Sequence, residues 1–158
     1  LQELAAPLGA DLAVCLQGPP AMVGGVGEEI APLRMPSLAL VVANPGIPLA
    51  TKDVFARVAP PYEEKLSIGA LANVDDVAQV SRALGNGLTP AALELCPTIG
   101  ALLRDLAVLE GCRLAQMSGS GATCFAMFGD WRQAEEAAAE LQRARPAWFV
   151  RACRSLAA

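Results

Sequence analysis

Arg113-Leu114-Ala115-Gln116-Met117-Ser118-Gly119-Ser120-Gly121-Ala122-Thr123-Cys124-Phe125-Ala126-Met127-Phe128 holds two short runs around a glycine cluster. Arg113 to Met117 and Thr123 to Phe128 read as strands, and Ser118 to Ala122 as the connection between them. Downstream, Asp130 stands where an N-cap belongs, with Gln133 three residues on. Trp131, Ala134, Ala138 and Leu141 fall on one side of the predicted helix, and Arg132, Glu135, Glu136 and Glu140 on the other. Pro146 closes it, and Trp148 to Cys153 reads as a last strand. Upstream, Ile99, Leu102, Leu103, Leu106 and Leu109 keep helical spacing between Pro97 and Gly111. Before them, Thr89-Pro90 reads as an N-cap followed by proline at the first helical position. Asn73 opens a helix to Leu84 with Asp76 at the capping-box position, and Asn86-Gly87 breaks the chain after it. Thr51 reads as the cap of a short helix through Phe55 to Val58, and residues 62 to 72 as loop. Ser37 to Ala43 has the continuous apolar character of a strand covered on both faces. From Ser37 the order is therefore strand, several helices, strand, strand, helix, strand. That order predicts an α+β, ferredoxin-like split β-α-β layout, an antiparallel sheet with helices on one face.

The stretch before Ser37 is shorter and more broken. Leu1 to Leu8 reads as the end of a helix closed by Gly9, and Asp11 to Gln17 as a strand. Ala21 to Val23 and Glu28 to Leu33 read as strands around Gly24-Gly25-Val26-Gly27. Leu1-Gln2-Glu3-Leu4 looks like the middle of a helix and lacks a basic n-region, so the expectation is a chain that begins inside a larger protein.

Composition narrows the function classes. Hydrophobic residues make up 54% of the 158 and charged residues 18%, enough to bury a core and exclude wholesale disorder. Lysine and arginine total 12, are scattered and sit under a net charge of -4, which argues against nucleic acid as partner. No apolar run is long enough for a membrane span. There is no histidine, so no mechanism can take an imidazole from this chain. The cysteines (Cys15, Cys96, Cys112, Cys124 and Cys153) are odd in number, lack a CxxC pair and mostly have apolar neighbours. They read as reduced, buried thiols of a cytoplasmic protein, and no metal-ligand set is expected.

Three features carry candidate chemistry. Asp11 lies inside the apolar run Leu8 to Leu16. Such a carboxylate faces solvent, caps a junction or is buried with a partner, so structural and catalytic roles are both open. Ser118, Gly119, Ser120 and Gly121 could let backbone N–H groups approach an anion, or could be a plain turn; the P-loop ending is absent. Asn44-Pro45-Gly46, at the end of the buried strand, is either a turn or a ligand site. The acidic pairs Glu28-Glu29, Glu63-Glu64, Asp75-Asp76 and Glu135-Glu136 read as solvated faces.

Taken in order, Leu8-Gly9-Ala10-Asp11, Gly25-Val26-Gly27-Glu28, Val41 to Gly46 with Thr51 and Phe55, and Met117 to Phe125 resemble the second half of the GHMP kinases. Within that family they resemble the branch that uses a cytidine-diphosphate-linked methylerythritol. The resemblance implies transfer of phosphate from ATP to the 2-hydroxyl of that small molecule, in non-mevalonate isoprenoid precursor synthesis. It puts the catalytic aspartate on Asp11 and the family's third motif on Ser118 to Thr123, near substrate and phosphates. It puts Asn44, Pro45, Gly46, Thr51 and Phe55 near the substrate. It also implies a boundary: residues 1-33 would be the tail of an ATP-binding domain (ribosomal S5 domain 2-like), and 34-158 the C-terminal domain. The family's glycine-rich ATP loop and its lysine have no counterpart, since Lys52 and Lys65 do not match. ATP and Mg2+ would then be held mainly by an absent N-terminal half, and this chain alone would be inactive. The sequence departs from the pattern at Ala13, where proline is usual, and at Gly87, where Asn-Asp-Leu is usual; no role is carried onto the latter. The competing expectations are a stand-alone ferredoxin-like module that binds a small ligand and regulates a partner, and a purely structural interaction domain.

Overall fold

A computed structural model of the chain describes residues 18, 20–24, 29–58 and 68–155. The first element pair is a hairpin, β1 (Ala21–Gly24) and β2 (Glu29–Pro32), paired antiparallel from Ala21 opposite Pro32 to Gly24 opposite Glu29. The four-stranded sheet follows, from β3 (Ala39–Asn44), β4 (Cys112–Met117), β5 (Cys124–Phe128) and β6 (Phe149–Arg154). Its spatial order is β4-β5-β3-β6, with every neighbouring pair antiparallel. Numbered within the sheet, that is the order 2-3-1-4 of the expected split β-α-β layout.

Strand β3 is central, and its residues alternate between two apolar layers. Val41 and Ala43 have no exposed surface and belong to the larger core. That core takes Val54 from α1 (Thr51–Phe55), Ala91 and Ala92 from α3 (Thr89–Leu95), and Ile99, Leu102 and Leu106 from α4 (Thr98–Ala107). Ala134, Ala137, Ala138 and Leu141 of α5 (Trp131–Ala144) complete it. The small alanines of α5 let that helix sit close to β3 and β6, where larger side chains would hold it off, and those of α3 let it pack against α1 and α4.

One element lies where the sequence reading does not put it. Val77 and Ala78 of α2 (Val74–Leu84) pack with Leu38, Leu114 and Met127 in a second core, with Leu40 and Phe125 against it. These strand residues alternate with the members of the first core, so α2 covers the opposite face of the sheet, over β4 and β5. Helices on one face is thus corrected to α4 and α5 over one face, with α1 and α3 packed into the same core, and α2 over the other. The physical reason is that the outer face of β4–β5 carries Leu114, Phe125 and Met127, which need a cover of their own.

Helix starts follow the expected chemistry at two places. The Asn73 side chain accepts from the Asp76 N–H at 3.0 Å, and the Asp76 carboxylate accepts from the Asn73 N–H at 3.2 Å. Both halves of the capping box are formed. Asp130 accepts from the Gln133 N–H at 2.9 Å, but the Gln133 side chain turns to the Gly129 N–H instead of closing a box. Asn73→Ala should therefore cost about 0.5–2 kcal/mol of stability. The midpoint of urea unfolding checks this; an unchanged midpoint would mean that water replaces the cap without loss.

Two other caps differ from expectation. Ala50, not Thr51, is the N-cap of α1, and Thr51 is already helical. Leu88 is the N-cap of α3, with Thr89 and Pro90 inside the helix. Asn86 does the capping work there: its backbone carbonyl accepts from the Thr89 N–H at 2.9 Å and its side-chain oxygen from the Leu88 N–H at 3.0 Å.

Candidate functional site

The segment Ser118 to Thr123 closes the β4–β5 hairpin, at the end of the sheet where β3 finishes. Its base is clamped by the Ser118 N–H donating to the Thr123 carbonyl at 2.9 Å, and the Gly121 N–H donates to the Ser118 carbonyl at 3.0 Å. Gly119 and Gly121 both have positive φ, +53° and +86°. At Gly121 a Cβ would meet Met117 Sδ at 2.9 Å, Ile99 Cδ1 at 3.1 Å and Leu49 Cδ2 at 3.3 Å. Only glycine fits both that angle and that space. At Gly119 a Cβ would meet nothing within 4 Å. The first glycine opens outward and the second is wedged onto the core.

Three side chains distant in sequence hold this loop. Asn44, the last residue of β3, donates from Nδ2 to Thr123 Oγ1 at 2.8 Å, while its Oδ1 accepts from the Gly46 N–H at 2.7 Å. The Asn44-Pro45-Gly46 turn is thereby tied to the loop. Pro45 is buried, and Gly46 is exposed with φ +74°. Thr51 shares a 2.9 Å hydrogen bond between its hydroxyl and that of Ser120. That explains why Thr51 does not cap α1: its oxygen serves the loop. Asn86 donates to the Met117 carbonyl at 2.9 Å and to the Gly119 carbonyl at 2.8 Å.

Of the candidates read from the sequence, Asn44, Gly46, Thr51, Ser118, Gly119, Ser120 and Gly121 thus gather in one place. Phe55 ends α1 and is 53% exposed, and no described contact ties it to the loop. Asp11 lies outside the described residues, as do Ala13, Cys15 and the Gly25 to Glu28 motif. Asn86 is not among the candidates read from the sequence. The available signal was an asparagine in a chain break before a helix, a position where Asn bonds backbone groups. Leu49 and Ile99, which wall Gly121, carry no signal beyond being apolar.

The loop has no charged side chain. Among the described residues the Gly119 and Ser120 N–H groups find no acceptor. Adjacent free N–H groups with serine hydroxyls beside them suit an anionic oxygen. Cys124, the next residue after the loop, contributes no nucleophile. Burial, and then the nearby Cys96, push its thiol up to about 12, so it stays protonated. Cys112 and Cys153 are also raised by burial, and all four described cysteines are free thiols. A cavity of about 380 Å³ exists at the other end of the sheet, near Ser37, Phe128, Trp131 and Arg154, and includes none of the loop residues. No described helix is long and apolar enough to cross a membrane.

The family model described as "GHMP kinases C terminal" matches residues 67–147, half of the sequence, and includes the loop, Asn86 and α2 through α5. The chain belongs to the GHMP kinases. Among curated GHMP-kinase relatives, a protein of Parvibaculum lavamentivorans named 4-diphosphocytidyl-2-C-methyl-D-erythritol kinase is 45% identical, over 95% of this chain and 53% of the relative. A protein of the same name from Methylorubrum extorquens is 44% identical over 90% of this chain and 51% of its own length. The crystal structure of a 4-(cytidine 5'-diphospho)-2C-methyl-D-erythritol kinase matches with a TM-score of 0.73 at 28% identity, over 98% of this chain and 57% of that one. A homoserine kinase from Cytophaga hutchinsonii matches with a TM-score of 0.61 at 19% identity, over 92% of this chain and 50% of that one, a likeness of fold. The chain spans about half the length of the curated relatives it matches.

Proposed function

We propose that the protein carrying this chain is a small-molecule kinase that uses ATP to phosphorylate the 2-hydroxyl of 4-diphosphocytidyl-2-C-methyl-D-erythritol, a step of non-mevalonate isoprenoid precursor synthesis. The observation that carries the reading is the tethered Ser118–Thr123 loop, with two adjacent N–H groups free, in a chain 45% identical to a protein of that name. Residues 1-33 would belong to the ATP-binding domain and 34-158 to the C-terminal domain. In this reading Asp11 accepts or orients the proton of the attacking hydroxyl. The Gly119 and Ser120 N–H groups meet a phosphate oxygen. Asn44, Pro45, Gly46, Thr51 and Phe55 border the substrate. Phosphoryl transfer needs little covalent chemistry from the protein, and positioning and charge stabilisation carry most of it.

Mg2+ would accompany ATP in such a reaction. Among the described residues no group of three or more Asp, Glu, Cys or His side chains comes together to cage an ion. A cytoplasmic setting fits the free thiols.

The test is ADP release by the full protein with ATP, magnesium and the cytidyl alcohol, beside homoserine as a control alcohol. The reading expects turnover with the cytidyl alcohol and none above background with homoserine. Turnover with neither would favour a ligand-binding module, and turnover with homoserine alone would assign the site to another GHMP substrate.

A further inference from the structure

Asn86 stands just before α3, more than thirty residues from the loop whose carbonyls it holds. Its carboxamide is fully used: Oδ1 accepts from the Leu88 N–H, and Nδ2 donates to the carbonyls of Met117 and Gly119. Oδ1 is thereby anchored to the start of α3, so the amide orientation is set and both Nδ2 protons point at the loop.

The consequence follows from the planarity of the peptide bond. In a trans peptide the C=O of one residue and the N–H of the next point in opposite directions. Holding the Met117 carbonyl on Asn86 turns the Ser118 N–H the other way, where it meets the Thr123 carbonyl at 2.9 Å. Holding the Gly119 carbonyl on Asn86 likewise turns the Ser120 N–H away from Asn86, where it meets no protein acceptor. Glycine at 119, with no Cβ and open space around it, would let this second peptide rotate if nothing held it.

We infer that Asn86 is a positioning residue that locks the Gly119–Ser120 peptide in the orientation that offers the Ser120 N–H to a phosphate chain. The inference rests on the proposed kinase function for its ligand, a phosphate chain of either ATP or the cytidyl substrate. The lock itself rests on the hydrogen bonds alone. Asn86 does not touch the ligand; it acts through the loop.

Asn86→Asp in the full protein tests this. The side chain keeps its shape and its acceptor for Leu88, but the carboxylate introduced repels two carbonyls and attracts an N–H group. The Gly119–Ser120 peptide then reverses. Two readouts follow. In 15N NMR with exchange, the Ser120 amide should move downfield and exchange about tenfold or more slowly, as a buried hydrogen bond replaces solvent. In steady-state kinetics, KM should rise about tenfold or more for whichever of ATP and the cytidyl substrate places its phosphates on the loop, the loss of one hydrogen bond to a charged group. The substrate whose KM moves identifies the source of the phosphate chain. Should the Asp variant fail to fold, Asn86→Ala serves with the same readouts: the Ser120 resonance should broaden between two orientations, and KM should rise. An unmoved Ser120 amide overturns the lock, and so does a lower melting temperature with wild-type KM for both substrates. If wild-type protein turns over neither substrate, the kinase reading fails, while the amide readout still decides the lock.

Discussion

Asp11→Asn in the protein carrying this chain is expected to lower kcat by about 10²–10⁴-fold, the usual contribution of a general base. KM should change far less. Asparagine keeps the size and part of the hydrogen bonding of aspartate but cannot take a proton from the attacking hydroxyl. The prediction rests on the proposed role of Asp11 and on its setting in the sequence, a lone carboxylate between Leu8 and Leu16 with no other charge nearby. Placing a carboxylate there costs free energy unless it is hydrated or paired. A structural role would make the opposite pattern. The variant would then lose melting temperature and keep kcat within about threefold of wild type, far from the loss of a base. Measuring thermal unfolding beside steady-state kinetics separates the two.

Gly121→Val is expected to destabilise the protein strongly and abolish activity, while Gly119→Val chiefly lowers activity. At Gly121 two costs add. A β-branched residue is forced to φ +86°, a region that L side chains resist by roughly 1–2 kcal/mol. Its Cβ would also lie 2.9 Å from Met117 Sδ and 3.1 Å from Ile99 Cδ1, and overpacking of this kind costs about 1–3 kcal/mol. Met117 and Ile99 are themselves buried, so relief requires shifting β4 or α4. At Gly119 only the φ cost applies, because a Cβ meets nothing within 4 Å. That open space is where a ligand would approach the loop, and valine would fill it. Unfolding free energies of the two variants should therefore differ by more than about 1 kcal/mol, the smaller of the overpacking costs, with a correspondingly lower midpoint for Gly121→Val. Equal midpoints would mean that the wedge at Gly121 is relieved by side-chain motion alone. Full activity in Gly119→Val would reduce the loop to a turn.

What the sequence disclosed and what it withheld follow a physical line. The β4–β5 hairpin, the helix through Ile99, Leu102 and Leu106, and the buried strand through Val41 and Ala43 are written in local periodicity. The Asn73–Asp76 capping box is likewise a local event, complete within four residues. Periodicity marks an apolar stripe on α2 but not which sheet face it meets. That depends on Leu114 and Met127, some thirty to fifty residues further on, needing a cover. The same limit hid the work of Thr51 and Asn86. Their partners, Ser120 and the carbonyls of Met117 and Gly119, are 69 and 31 to 33 residues away. A threonine before a helix reads as a cap until a distant hydroxyl claims its oxygen. Asn44 is legible as a candidate from its place at a strand end, but its bond to Thr123 requires the register of β3 against β5. Gly119 and Gly121 look alike in sequence; only the packing of Leu49, Ile99 and Met117 separates the wedge from the open position.

The most direct test of the central claim is the identity of the product. The full protein, incubated with ATP, magnesium and 4-diphosphocytidyl-2-C-methyl-D-erythritol, should yield one new phosphate monoester. In 31P and 13C NMR that phosphorus should couple to the carbon bearing the 2-hydroxyl, with ADP formed in equal amount. A phosphate on any other hydroxyl, or ATP left intact beside an unchanged cytidyl alcohol, would contradict the account.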